Sequence, residues 1–180
     1  MRMAEEKKEP WLNYLALSTV ILAVCATLST FKGGAFSTRS VISQAQASDQ
    51  WAFYQAKAIK GDLYQVERDA LQVSANTLPA GTPQAQRQVY LDKIAEYDKK
   101  IAKYSKEKAV IMKEAQALEK QRDAAQIQGK PFGVAVIFLQ VAILISSIAG
   151  LFKRKQVWYA ALPVGLLGLI YFADGFWLFF

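Results

Sequence analysis

Charge is segregated along this chain, and that segregation restricts the available folds more than any other feature. Residues 11–31, 132–152 and 157–173 contain no Asp, Glu, Lys or Arg, while all but one of the 22 basic and 15 acidic side chains lie before or between those stretches. At about 1.5 Å rise per residue, a run as long as residues 11–31 crosses roughly 30 Å of hydrocarbon. Lipid offers no partner for an open backbone, so such runs must be helical. The predicted fold class is all-α: an integral membrane protein with three transmembrane helices, at residues 11–31, 132–152 and 157–180, and a long antiparallel, coiled-coil-like helical hairpin between the first and second. Residues 1–10 form a cytoplasmic tail, and residues 153–156 a short basic cytoplasmic loop.

The first span reads as a retained helix rather than a cleaved signal peptide, because a signal core is usually about 7 to 15 residues long and no Ala-x-Ala site follows. Trp11, Tyr14, Trp158, Tyr159 and Trp177 stand at span ends, where amphipathic aromatics meet headgroups. Gly129, Pro131 and Gly133 predict a break or kink before the second span. Pro163, Gly165 and Gly168 predict a bent or oblique third. Gly33-Gly34 predicts a hinge after the first. Arg2, Lys7 and Lys8, with Lys153, Arg154 and Lys155, mark the cytoplasmic side against Lys32, Arg39, Lys120, Arg122 and Lys130 opposite. Short loops weigh more than long translocated ones in that comparison. The insert, residues 32–131, then faces outward. Asp174 is the one charge inside a span, which leaves two readings: an ion or proton site, or a carboxylate at the exit interface.

Within the insert the apolar residues are periodic. One heptad seam reads Ile42, Asp49, Ala56, Leu63 and Ala70 at its a positions and Ala45, Ala52, Ile59, Val66 and Val73 at d. After a Pro- and Gly-bearing turn at residues 76–83, a second seam reads Arg87, Ile94, Ile101, Lys108, Ala115 and Arg122 at a, with Tyr90, Tyr97, Tyr104, Ile111, Leu118 and Ala125 at d. Two rods of roughly 50 to 65 Å that fold back on each other are the economical reading. A turn centred near residue 80 then sets Ala70 against Tyr90, Leu63 against Tyr97 and Ala56 against Tyr104. The same register brings Asp49 to Lys108 as a pair that fixes the alignment, the alternative being a solvated Asp49 and a Lys108 that reaches outward. On these heptads Trp51, Phe53, Tyr54 and Tyr64 point away from the partner helix. An aromatic patch of that kind normally covers a subunit, another helix layer or a membrane surface.

Residues 48–60, Ser-Asp-Gln-Trp-Ala-Phe-Tyr-Gln-Ala-Lys-Ala-Ile-Lys, resemble the core motif of a bacterial membrane family, domain of unknown function 4337. The resemblance implies a bacterial inner-membrane protein with an apolar N-terminal helix, a charged helical middle and apolar C-terminal helices. Asp49, Gln50, Trp51, Tyr54, Gln55 and Lys57 are the positions that match. It implies no activity.

Chemistry is limited by composition. With no His and one Cys, the chain lacks the usual neutral-pH base, a Cys/His zinc set and an internal disulfide. No catalytic residue, cofactor or metal is expected, and the protein is not expected to be an enzyme. Cys25, in mid-span, reads as structural. Acids interspersed among Lys99, Lys100, Lys103, Lys106 and Lys108 argue against nucleic acid. The expected role is structural: a multi-pass inner-membrane protein, surrounded by membrane lipids, that forms a homo-oligomer through its hairpin and aromatic patch and has room for a periplasmic protein partner. The alternative is a pore or transport component.

Overall fold

A computed structural model describes residues 10–178; Arg2, Lys7 and Lys8, and the last two residues of the third predicted span, lie outside the described residues. The described chain is all-α, with three long helices and no strand: α1 (Pro10–Asn76), α2 (Gln84–Leu151) and α3 (Lys155–Trp177). Each contains a segment long and apolar enough to cross a membrane. The described residues divide into two units, one formed by residues 10–41 with 122–178 and the other by residues 42–121.

In the first unit all three helices pack around a small-residue core. Leu22 and Ala26 of α1 are buried with Ala135, Leu139 and Ala142 of α2, and Val164, Leu169 and Phe172 of α3 lie against them. Hydroxyls in this region turn inward on their own helix: Ser29 donates to the Cys25 carbonyl at 2.8 Å and Thr30 to that of Ala26 at 2.9 Å. That local bonding is how a polar side chain is satisfied among apolar neighbours. Trp158 stacks near Trp11, with ring centroids 6.3 Å apart, and its indole N–H donates to the Ser18 hydroxyl at 3.2 Å.

The glycines and prolines expected to interrupt the helices do not break them. α1 runs helically through Gly33-Gly34, α2 through Pro131, and α3 through Pro163, Gly165 and Gly168. Packing explains the difference, since tertiary contacts override helix propensity and small residues permit close helix approach. A Cβ on Gly168 would lie 2.7 Å from Leu139 Cγ and 2.9 Å from the Leu139 backbone nitrogen, and one on Gly175 would lie 2.7 Å from the Phe132 ring. Phe132 itself is buried and meets one ring from α1 and two from α3: Phe36 at 6.1 Å, Phe172 at 6.4 Å and Phe176 at 5.3 Å. Gly168 and Gly175 are therefore sites of close helix contact.

Between α2 and α3 the chain reverses in a Schellman turn, where the Arg154 N–H donates to the Ala149 carbonyl at 3.0 Å and the Lys153 N–H to that of Gly150 at 3.3 Å. Lys153 adopts φ 51°, the left-handed conformation that usually falls to glycine.

The second unit is built from α1 and α2 alone. Their partners run in opposite numerical order, Lys57 with Glu107 and Arg68 with Asp98. On α2 the buried and half-buried side chains include Tyr90, Ile94, Tyr97, Ile101, Tyr104, Lys108, Ile111, Ala115 and Leu118, the predicted row. On α1 a different row is covered. Ser43, Ala47, Trp51, Tyr54, Lys57, Gly61, Tyr64, Arg68 and Leu71 are buried or half-buried, while Ile42, Ala52, Ile59, Leu63, Val66 and Val73 of the predicted seam are exposed.

Gly168→Ala should destabilise the three-helix unit by about 1 to 3 kcal/mol, the usual cost of overpacking a tight contact. Gly34→Ala, where a Cβ meets nothing within 4 Å, should be neutral or slightly stabilising. Thermal unfolding of both variants in one detergent, followed by circular dichroism, checks the contrast.

Candidate functional site

The residues singled out by sequence converge on the α1–α2 contact of the second unit, on the side opposite to the one expected. Trp51 donates its indole N–H to Glu119 Oε1 of α2 at 2.9 Å and packs edge-on against Tyr54, with centroids 5.6 Å apart. Tyr64 lies beside two α2 tyrosines, 5.4 Å from Tyr97 and 5.8 Å from Tyr104, the latter nearly parallel at 13°. Phe53 alone of the four remains exposed, and the Lys57 ammonium covers its ring at 5.2 Å. The expectation that Trp51, Tyr54 and Tyr64 form a spare outward patch is therefore corrected.

The expected register is corrected with it. Tyr104 sits across from Gly61, where a Cβ would lie 3.5 Å from Tyr104 Cβ, and not from Ala56. Lys108 extends over the Tyr54 ring at 5.9 Å, while Asp49 is exposed and makes no ion pair with it. The physical reason lies in the α2 tyrosines. Flat rings stack on flat rings and accept cations on their faces, so they favour the α1 row that offers Tyr54, Lys57, Gly61 and Tyr64 over the mainly aliphatic row that includes Asp49.

A lattice of lysines and tyrosines results. Lys100 lies 4.9 Å from the Tyr64 ring and 5.6 Å from that of Tyr97, Lys93 lies 5.3 Å from Tyr97, and Lys57 lies 5.6 Å from Tyr104. Carboxylates fill the gaps. Lys57 Nζ is 2.6 Å from Glu107 Oε2, and Glu96 receives Lys100 at 2.7 Å and Lys93 at 2.8 Å. Lys100 and then Lys93 hold the Glu96 carboxyl down at about 2, against an ordinary 4.5. The hydrogen bond from Lys57 lowers Glu107 in the same way. Burial, with a hydrogen bond to Glu67 of α1, pushes the Tyr97 hydroxyl upward.

Across the two helices, the lattice joins Lys57 to Glu107 and Tyr104, Lys100 to Tyr64 and Lys108 to Tyr54. A notch of about 460 Å³ opens beside Lys60, Tyr64, Glu67, Lys93, Tyr97 and Lys100, where Glu96 is shared by Lys93 and Lys100. Among the described residues no group of three His, Cys, Asp or Glu side chains is placed to hold a metal ion. Asp174 is buried in the three-helix unit, and its carbonyl accepts the Leu178 N–H at 2.7 Å.

What sequence reasoning missed is the exposed aliphatic line on α1. Ile59 is 69% exposed, Leu63 55%, Val66 67% and Val73 63%, all on the back of the helix that Tyr64 presents to α2. The signal for the covered row was Gly61 between Tyr54 and Tyr64 at heptad spacing, a gap of the size that a facing tyrosine needs.

Residues 11–178 match the family described as Domain of unknown function (DUF4337). The chain belongs to that family. No curated protein and no solved structure gives a significant match. The match spans all three helices of this DUF4337 member, so residues 48–60 are one part of a likeness that runs through nearly the whole chain.

Because Glu96 titrates lower when folded, its contribution to stability is fully present above about 4.5 and is lost as pH falls through about 2. Lys100→Gln should move the Glu96 midpoint up toward 4.5, an outcome read from the carboxyl carbon shift in an NMR titration. High salt should shrink the difference, since these groups are exposed.

Proposed function

We propose that this chain is a non-enzymatic membrane assembly protein. Its apolar helical segments anchor it in a membrane, the residue 42–121 unit serves as an extramembrane, coiled-coil-like hairpin, and the aliphatic back of α1 pairs with the same surface on a second copy. The observation that carries this reading is the exposed line of Ile59, Leu63, Val66 and Val73 on a helix whose other side is already occupied by α2. The line repeats at coiled-coil spacing from Ile42 to Val73, and a seam of that period is complementary to another helix. Two identical patches related by a two-fold axis satisfy each other, the usual geometry of a homo-oligomer. The aromatic residues support assembly indirectly, by fixing which side of α1 remains open.

A bacterial inner membrane, with the short basic link around Lys153 and Arg154 on the cytoplasmic side and the hairpin outside, is the location this reading favours. A periplasmic protein that presents an amphipathic helix would fit the same seam. A second reading, a pore or transport component, draws support from Asp174, a carboxylate only 2% exposed within a long apolar helix. Under that reading Asp174→Asn changes ion flux in reconstituted vesicles; under the assembly reading flux stays at background for both proteins.

Cysteine placed at Leu63 in a Cys25→Ser background should give a disulfide-linked dimer on mild oxidation in membranes, and Leu63→Glu should weaken association by at least about tenfold, because a carboxylate would be buried in an apolar seam. Sedimentation in mild detergent measures the second effect. A wild-type chain that is monomeric throughout the accessible concentration range, with no cross-link at Leu63, overturns the proposal.

A further inference from the structure

In the three-helix unit, an open groove of about 750 Å³ lies between α1 and α2, bounded by residues 29–41 on one helix and 125–136 on the other. Its walls change character along their length. Toward the apolar segments it is lined by Gly33, Gly34, Gly133 and Val136, and Ser29 and Thr30 there have their hydroxyls tied to their own helix. Toward the charged segments it is lined by Ser37, Ser40, Gln126 and Lys130.

Two independent features indicate that something outside the chain fills it. First, Gly33 and Gly129 are explained by the helix contact, since Cβ atoms there would lie 3.3 Å from Phe132 Cβ and 3.2 Å from Phe36 Cβ. Gly34 and Gly133 are not explained in that way: a Cβ on either meets nothing within 4 Å. Glycine inside a helix costs about 0.5 to 1 kcal/mol relative to alanine, and close approach of a ligand to the backbone is one of its established uses. Second, Ser40 is only 7% exposed and lines the groove, yet its hydroxyl bonds to no described residue. The oxygen is not sealed in the protein, so it opens on the groove.

A groove that is apolar at one end, and carries free hydroxyls and an ammonium at the other, matches an amphiphile with an anionic head. We propose that it is a binding site for an anionic phospholipid, with the phosphate held by Lys130, Ser37 and Ser40 and an acyl chain laid across Gly33, Gly34 and Gly133. The glycines let the chain reach the helix backbone, and Ser40 gains the partner it lacks. One lysine gives a preference for anionic over zwitterionic heads, and the apolar floor gives affinity for both. The site does not depend on self-association of the second unit.

The test uses the full chain, purified in mild detergent and stripped of lipid, with retained lipid counted by native mass spectrometry after titration with phosphatidylglycerol or phosphatidylcholine. Wild-type protein should retain phosphatidylglycerol roughly fivefold more strongly than phosphatidylcholine, the preference expected for one lysine at an anionic head. Lys130→Gln should erase that preference and leave the helical spectrum unchanged. Gly34→Leu should reduce retention of both lipids, and because its side chain enters open space it should fold. Equal retention of the two lipids by the wild type, or retention that neither variant alters, overturns the proposal. So does inorganic phosphate at millimolar concentration if it binds as tightly without an acyl chain, since free phosphate would then be the ligand. Loss of dimer in Gly34→Leu with unchanged lipid retention also overturns it and assigns the groove to a second copy.

Discussion

Tyr64 lies between Tyr97 and Tyr104, and a helix held by that stack cannot also turn Ile59, Leu63 and Val66 toward the same neighbour. The choice follows from chemistry more than from apolar area. Ring faces attract Lys57, Lys93 and Lys100, whose stems add contact while their charges stay near water, and Glu96 and Glu107 pair with them. Exposed ion pairs contribute little individually, on the order of 0 to 1 kcal/mol each. The Glu96 pairs lie within α2, so alignment of the two helices falls to Lys57 with Glu107 and Tyr104, Lys100 with Tyr64, and Lys108 with Tyr54. The cost of that specificity is a line of aliphatic side chains left without cover, and the proposed assembly reading rests on that line.

The three-helix unit follows a different rule. Its helices are each long and apolar enough to cross a membrane, and they meet through close contact, small residues and hydroxyls satisfied on their own helix. Gly168 against Leu139 and Gly175 against Phe132 supply the contact, and Phe132 joins rings from all three helices. The residues that sequence convention treats as helix breakers are thus the ones that let these helices meet.

The sequence made some of this legible and hid the rest for identifiable reasons. Three long helices and the covered row of α2 were readable, because Tyr90, Ile94, Tyr97, Ile101 and Ile111 are large and recur at one period. On α1 two rows share that period, one aliphatic and one of mixed Tyr, Lys, Gly and Arg. Ranking by apolarity chose the wrong one, and the misplacement of Asp49, Lys108, Trp51, Tyr54 and Tyr64 follows from that single choice. The break expected at Gly33-Gly34 is absent because α1 continues through both, and at Gly33 propensity was weighed without its neighbour Phe132. Asp174 was recognised as unusual from its isolation, but no sequence pattern could reveal how deeply it is buried.

Lys153 offers a last consequence. Left-handed backbone costs a residue with a side chain roughly 1 to 2 kcal/mol, and glycine would relieve it, yet this turn places a cation there, followed by Arg154 and Lys155. Its three-residue reversal also leaves no slack between α2 and α3. Any turn of α3 against α2 must therefore be taken up by the torsions of residues 152–154, where the left-handed residue and the start of the basic run coincide.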